Sequence, residues 1–87
     1  MNNNDSIRAD KWLWVCRFFK TRLISRKMIE FGKIRLNGRK LTKVSSSIRV
    51  GDVITLTKNN EILVVRVLSW PVRRGSAKNL QDWYESI

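Results

Sequence analysis

The sequence has no histidine, one cysteine, one proline and one tyrosine, and only 7 acidic residues against 18 basic ones in 87. Each shortage closes a class of function. Without histidine the chain lacks the usual general base near neutral pH and the commonest metal ligand. A lone Cys16 permits no intramolecular disulfide and no cysteine-rich zinc site. Its place in the apolar run 12–19 marks it as a buried structural thiol. That run is interrupted by Arg17 and preceded by Asp5 and Asp10, which does not suit a signal peptide, and no stretch approaches bilayer-spanning length. No Gly-rich phosphate loop or metal-spaced cluster occurs. Asp10, Glu30 and Asp52 fall in different elements and suggest no acid–base pair. These shortages predict no cofactor, no metal site, no small-molecule substrate, no membrane partner and a cytoplasmic location.

What is present is positive charge, unevenly placed. Residues 1–50 hold 13 Lys and Arg against 3 acidic residues, a net +10, while residues 51–87 hold 5 against 4. Solubility alone does not call for that asymmetry, which is the footprint of a polyanionic partner. Nucleic acid fits better than a membrane, because a membrane surface favours a long basic amphipathic helix. The 43% of hydrophobic residues is enough for one small core.

Much of the charge falls on one stretch, Lys20 to Leu41. Thr21 is a natural N-cap for a helix that Gly32 can close in the left-handed conformation. Asn37-Gly38 then signals a two-residue type I′ hairpin. In that register Leu36 faces Arg39, Arg35 faces Lys40 and Ile34 faces Leu41. Like charges directly opposite each other are destabilising unless screened. With Arg22, Arg26, Lys27 and Lys33 on the same unit, the pattern reads as an anion-binding face.

A first helix is expected over Ile7 to about Phe19, with Ala9, Trp12, Leu13 and Cys16 on one face. It is apolar on further sides, so it either packs twice or exposes Trp14 and Phe18 beside Arg17 and Lys20, where an unpaired base could stack. In the second helix Ile24, Ser25, Met28 and Ile29 form an inward stripe. Arg26 and Glu30 are spaced for a helical ion pair, which leaves Arg22 and Lys27 unpaired. After a polar crossing at 43–47 and a turn at Val50-Gly51-Asp52, strands are expected over 53–57 and 61–68, joined by Lys58-Asn59-Asn60. Ser76 reads as the N-cap of a last helix carrying Leu80, Trp83, Tyr84 and Ile87 inward. Arg73 and Arg74 either extend the basic surface or solvate a loop.

The segments R-A-D-K-W-L-W-V-C-R-F-F-K-T-R, I-E-F-G-K-I-R-L-N-G-R-K-L and V-G-D-V-I-T-L carry a resemblance. Over Arg8 to Leu56 the chain resembles the RNA-binding domain named after bacterial small-subunit ribosomal protein four, the alpha-L motif. It is most similar to the small free-standing heat-shock and ribosome quality-control members. The resemblance implies an α+β fold, with two N-terminal helices followed by a small antiparallel β-sheet and here a short C-terminal helix. The polar, asparagine-rich 1–6 is expected to be disordered, with the alpha-L domain at 7–70 and an extension at 71–87 packed on it. The resemblance implies an RNA-facing set of Arg8, Lys11, Arg17, Lys20, Thr21, Arg22, Arg26, Lys27, Lys33, Arg35, Asn37 and Arg39, which the hairpin pattern extends to Lys40.

The expected partner is ribosomal RNA on free large subunits, with peptidyl-tRNA as a further contact, bound by a monomer in rescue of stalled translation. A sequence-nonspecific DNA-binding protein and a stable ribosomal component are the alternatives. Arg8-Ala9-Asp10 looks like the Arg-Leu-Asp triplet of pseudouridine synthases, to which the domain is appended elsewhere. At the head of a helix Asp10 more simply favours the positive end of the dipole, and no enzyme is expected.

Overall fold

The computed structural model describes residues 6–75, 78 and 80–87. The frayed end expected over 1–6 lies outside them except for Ser6, and so does the expected N-cap Ser76. The elements run β1 (Ile7–Arg8), α1 (Ala9–Val15), α2 (Arg22–Glu30), β2 (Ile34–Leu36), β3 (Arg39–Lys40), β4 (Ser47–Ile48), β5 (Val53–Lys58), β6 (Glu61–Val67), α3 (Leu80–Trp83) and β7 (Tyr84–Ser86). A five-stranded antiparallel sheet has the order β3-β2-β5-β6-β7, and β1 pairs with β4 in a separate ribbon.

The α+β class and the antiparallel sheet are as expected, but the order of elements differs at three places. Ile7 and Arg8 form a strand against Ile48 and Ser47 rather than the first turn of a helix. This places the 43–47 crossing above the start of α1, where Ala9 N–H donates to Ser46 O at 2.8 Å and Asp10 N–H to Val44 O at 3.1 Å. Two of the donors that every helix start leaves open are thus met by backbone carbonyls, and no side-chain cap is needed at Arg8.

The second difference is the end of α1, which stops at Val15 instead of Phe19. Arg17 N–H donates to Trp14 O and Phe18 N–H to Leu13 O, both at 3.0 Å, in the double bond of a Schellman close. Arg17 holds the left-handed position at φ 66°, a conformation that costs a non-glycine residue about 1–2 kcal/mol. Phe18 is thereby turned into the core, against Tyr84 at 4.5 Å and Trp12 at 5.3 Å between ring centroids. Phe18 packs on the C-terminal segment, and Trp14 remains half-buried beneath the Arg74 guanidinium, 6.0 Å from its ring centroid.

The third difference is the C-terminal segment. The α-helix spans Leu80–Trp83, and Tyr84–Ser86 is a strand paired with Val65–Val67 of β6. Leu68 and Ser69 N–H groups both reach Trp83 O, which draws the end of β6 toward α3.

The core collects Ala9, Trp12, Leu13, Val15 and Cys16 of α1, Ile29 of α2, and Ile34, Ile54, Leu56, Val65 and Val67 of the sheet. Val15 is buried along with the expected face, so α1 does pack on two sides. The Trp12 indole N–H is satisfied by Ser69 O at 3.3 Å. Burial raises the Cys16 thiol from 9.0 to about 12, and Tyr84 is raised from 10.0 by burial and by its neighbour Cys16. Cys16 is raised, so its contribution to stability is complete below pH 9.0 and is lost as pH climbs toward about 12. Tyr84, raised from 10.0, adds stability that is likewise lost only on the alkaline side. Iodoacetamide at pH 8 should therefore leave Cys16 unmodified in the native protein and alkylate it fully in denaturant. Rapid native labelling would contradict this placement.

Candidate nucleic-acid interface

The face begins with α2. Thr21 Oγ1 accepts the Ile24 N–H at 3.1 Å, the capping bond expected of it. Ser25 and Ile29 are buried while Ile24 and Met28 are half-buried, so the inward stripe is the expected one. Arg26 and Lys27 consequently point outward and are exposed. Leu23 and Phe31 share this exposure, at 59% and 67%. The helix closes at Gly32, φ 76°, with Lys33 N–H donating to Met28 O and Gly32 N–H to Ile29 O, each at 3.0 Å.

The hairpin follows at once, in the expected register. Leu36 faces Arg39, Arg35 faces Lys40, and Leu41 N–H reaches Ile34 O at 2.9 Å. Asn37 at φ 51° and Gly38 at φ 84° form the two-residue turn. The opposed Arg35 and Lys40 separate along the strands. Arg35 Nη1 leans toward the tip, 3.4 Å from Gly38 O. The Lys40 stem leans the other way and lies over Gly32: a Cβ built there would stand 3.2 Å from Cε and 3.3 Å from Nζ. That position also sets the ammonium near the negative end of the α2 dipole.

Gly32→Ala should therefore lower stability by about 1–2 kcal/mol, because it combines a left-handed backbone with the displacement of Lys40. Thermal unfolding would check this, and an unchanged melting temperature would contradict it.

Asn37 has a structural role within the face. Its side-chain oxygen accepts the Val53 N–H at 2.8 Å and its amide donates to Asp52 Oδ1 at 3.1 Å. The Asp52 carboxylate also accepts Arg49 N–H at 2.8 Å, so the tip of the hairpin is pinned to the turn before β5.

The ion pairing differs from expectation. Among the described residues the ion pairs are Arg8–Asp10, Arg22–Asp10 and Arg66–Glu85. Arg26 and Glu30 are not paired, and Arg22 is. Asp10, only 1% exposed, sits between Arg8 Nε at 3.1 Å and Arg22 Nε at 3.4 Å. Burial alone would push its carboxyl up, but the hydrogen bonds and charges of the two guanidiniums outweigh burial and hold it below its ordinary 3.8. Asp10 Oδ1 accepts the Lys11 N–H as well, at 2.8 Å. The carboxylate thus ties the end of β1, the start of α1 and the start of α2 together.

Arg8 and Arg22 remain partly exposed, but a neighbouring negative charge offsets them. Arg26, Lys27, Lys33, Arg35, Arg39 and Lys40 are exposed without a carboxylate partner among the described residues. Lys20 is exposed at the α1–α2 connection, and Lys11 and Arg17 are half-buried. Sequence reasoning missed the Asp10 hub because Arg22 lies 12 residues from Asp10 and Arg8 only 2 away, neither at a helical pairing distance. It read Lys58 only as part of a turn and left Arg74 between basic surface and loop, whereas both stand beside Arg17 and Lys20.

A capped helix thus runs directly into a cationic hairpin that an asparagine pins to the sheet, the build of a small RNA-binding-type α+β domain. The S4 domain model matches residues 7–54, more than half of the chain, and the chain belongs to the S4 domain family. The heat shock protein 15 homolog of Haemophilus influenzae is 38% identical over 79 residues, covering 91% of this chain and 60% of its own. The RQC P-site tRNA stabilizing factor of Streptococcus pneumoniae is 36% identical over 62 residues, covering 71% of this chain and 69% of its own. The structure of Vibrio cholerae heat shock protein 15, solved as a trimer, superimposes with a TM-score of 0.88 at 35% identity, covering 94% of this chain and 82% of that one. The chain spans about 60% of the length of the heat shock protein 15 relatives that it matches.

Proposed function

We propose that the chain is a non-catalytic RNA-binding module that docks on ribosomal RNA. Its target is the free large ribosomal subunit carrying peptidyl-tRNA, in the rescue of stalled translation in the cytoplasm. The observation that carries this reading is the exposed set Arg26, Lys27, Lys33, Arg35, Arg39 and Lys40 of α2 and the hairpin, which lacks carboxylate partners among the described residues. Phosphates along a folded RNA complement such a surface, and shape selects the site rather than base sequence. The outer face of α2 offers charge, not the Asn, Gln or Ser that would read base edges in a duplex groove. Among the described residues no helix is long and apolar enough to cross a membrane and no His, Cys, Asp and Glu group could hold a metal. The relatives named for heat shock and for stabilising P-site tRNA support the translational setting. One copy of the chain contains the whole face, so a single copy is the binding unit.

The test is co-sedimentation of the purified protein with large subunits, small subunits, intact ribosomes and competitor duplex DNA at two salt concentrations. Selective retention on large subunits, strongest when peptidyl-tRNA is bound, is the expected result. Complete displacement by duplex DNA would mean that charge alone governs binding, and equal occupancy of all ribosomes would make the protein a fixed component.

A further inference from the structure

The α1–α2 connection, one edge of α2 and the β5–β6 turn surround a groove of about 500 Å³. Arg17, Lys20, Lys58 and Arg74 stand on its rim, and the half-buried Ile24 and Met28 contribute to its apolar floor. No carboxylate lines it among the described residues; Glu61, opposite Lys58 in the β5–β6 ladder, lies outside.

Two of the rim cations are oriented by backbone oxygen. Arg17 Nη1 donates to Gly75 O at 2.6 Å, and Arg74 Nε donates to Trp14 O at 3.1 Å. A carbonyl directs a guanidinium without cancelling its charge. Arg17 holds its place from a left-handed backbone that a glycine would adopt at lower cost. Four cations around one groove repel each other until an anion enters. A bare phosphate would answer the charge and leave the apolar floor wet, whereas a nucleotide answers both.

We infer that this groove receives one unpaired nucleotide of the bound RNA. Its base lies on Ile24 and Met28, and its flanking phosphates meet Arg17, Lys20, Lys58 and Arg74. The inference rests on the RNA reading above and adds a second contact area. Lys58 and Arg74 belong to it although both lie beyond residue 54, where the family match ends. Lys20 connects it to the surface of α2.

The experiment compares two RNAs by fluorescence anisotropy: a plain stem-loop, and the same stem with one bulged 2-aminopurine nucleotide. The parent protein should bind the bulged stem about tenfold more tightly, a gain of the size that burying one face of a base on apolar side chains supplies. The 2-aminopurine emission should change on binding. Lys58→Glu should remove the preference while still binding the plain stem, and Lys58→Arg should retain it. Lys43→Glu, the same charge change on the 43–47 crossing, should keep the preference. Equal affinity of the parent for both stems, with the plain stem bound, would overturn the groove assignment and leave the RNA reading standing. Failure to bind either stem would overturn both. Loss of the preference in Lys43→Glu as well would reduce the effect to net charge and overturn the assignment.

Discussion

Asp10→Ala is expected to destabilise the protein by about 2–4 kcal/mol, because it strips two guanidiniums and a backbone amide of one shared acceptor. For a domain of this size that corresponds to a fall in melting temperature of about 8–32 °C. The figure stays below the upper range for a broken buried ion pair, since Arg8 and Arg22 are partly exposed and can turn to water. The pH dependence follows from the same site. Asp10 is held below its ordinary 3.8, so its contribution is fully present above about that pH. It is lost as pH falls through the lower value of the folded state. Thermal melts between pH 7 and 2 should show the parent losing stability below pH 4 by more than the alanine variant. Parallel curves would remove Asp10 as the hub. Arg22→Glu would set a second carboxylate against the first and unfold this corner, which makes Arg22 a poor site for testing RNA contacts.

The second large effect concerns the face itself. Arg26→Glu/Lys27→Glu should reduce affinity for large subunits about a hundredfold at low salt and lessen the salt slope by about 2. The parent, if it engages about 6–10 phosphates, should lose roughly 10³–10⁵ in affinity between 50 and 200 mM salt. Both residues are exposed and outside the three ion pairs, so the melting temperature should hardly move. Co-sedimentation across a salt series and a thermal melt check the two halves of this expectation. Unaltered retention of the double variant would shift the interface away from α2.

The parts legible in the sequence were those whose cause is local. Asn37-Gly38 specifies its turn through the backbone freedom of two residues, and the register of the hairpin follows without reference to the rest of the chain. Thr21 and Gly32 bracket α2 for the same reason. The misread elements have distant causes. The apolar pattern of α1 continues past Val15, and only the burial of Phe18 against Tyr84 explains why Arg17 turns the chain there. Leu80, Trp83, Tyr84 and Ile87 satisfy a helical period, yet the open edge of β6 claims Tyr84–Ser86 as a strand. Arg26 and Glu30 have the spacing of a pair, but a buried Asp10 attracts Arg22 instead, and the burial of a carboxylate runs against the apolar pattern by which burial is read from a sequence.

The opposed Arg35 and Lys40 also bear on kinetics. One leans to the tip beside a carbonyl and the other lies along Gly32, so the two charges already stand apart and need less reordering when a polyanion arrives. Lysine and arginine are among the side chains with most freedom to lose on ordering. A hairpin whose cations stand apart before RNA arrives forfeits less at the moment of contact than a flexible basic tail does. Its association with a polyanion should therefore be governed by long-range attraction and diffusion, with little waiting for rearrangement.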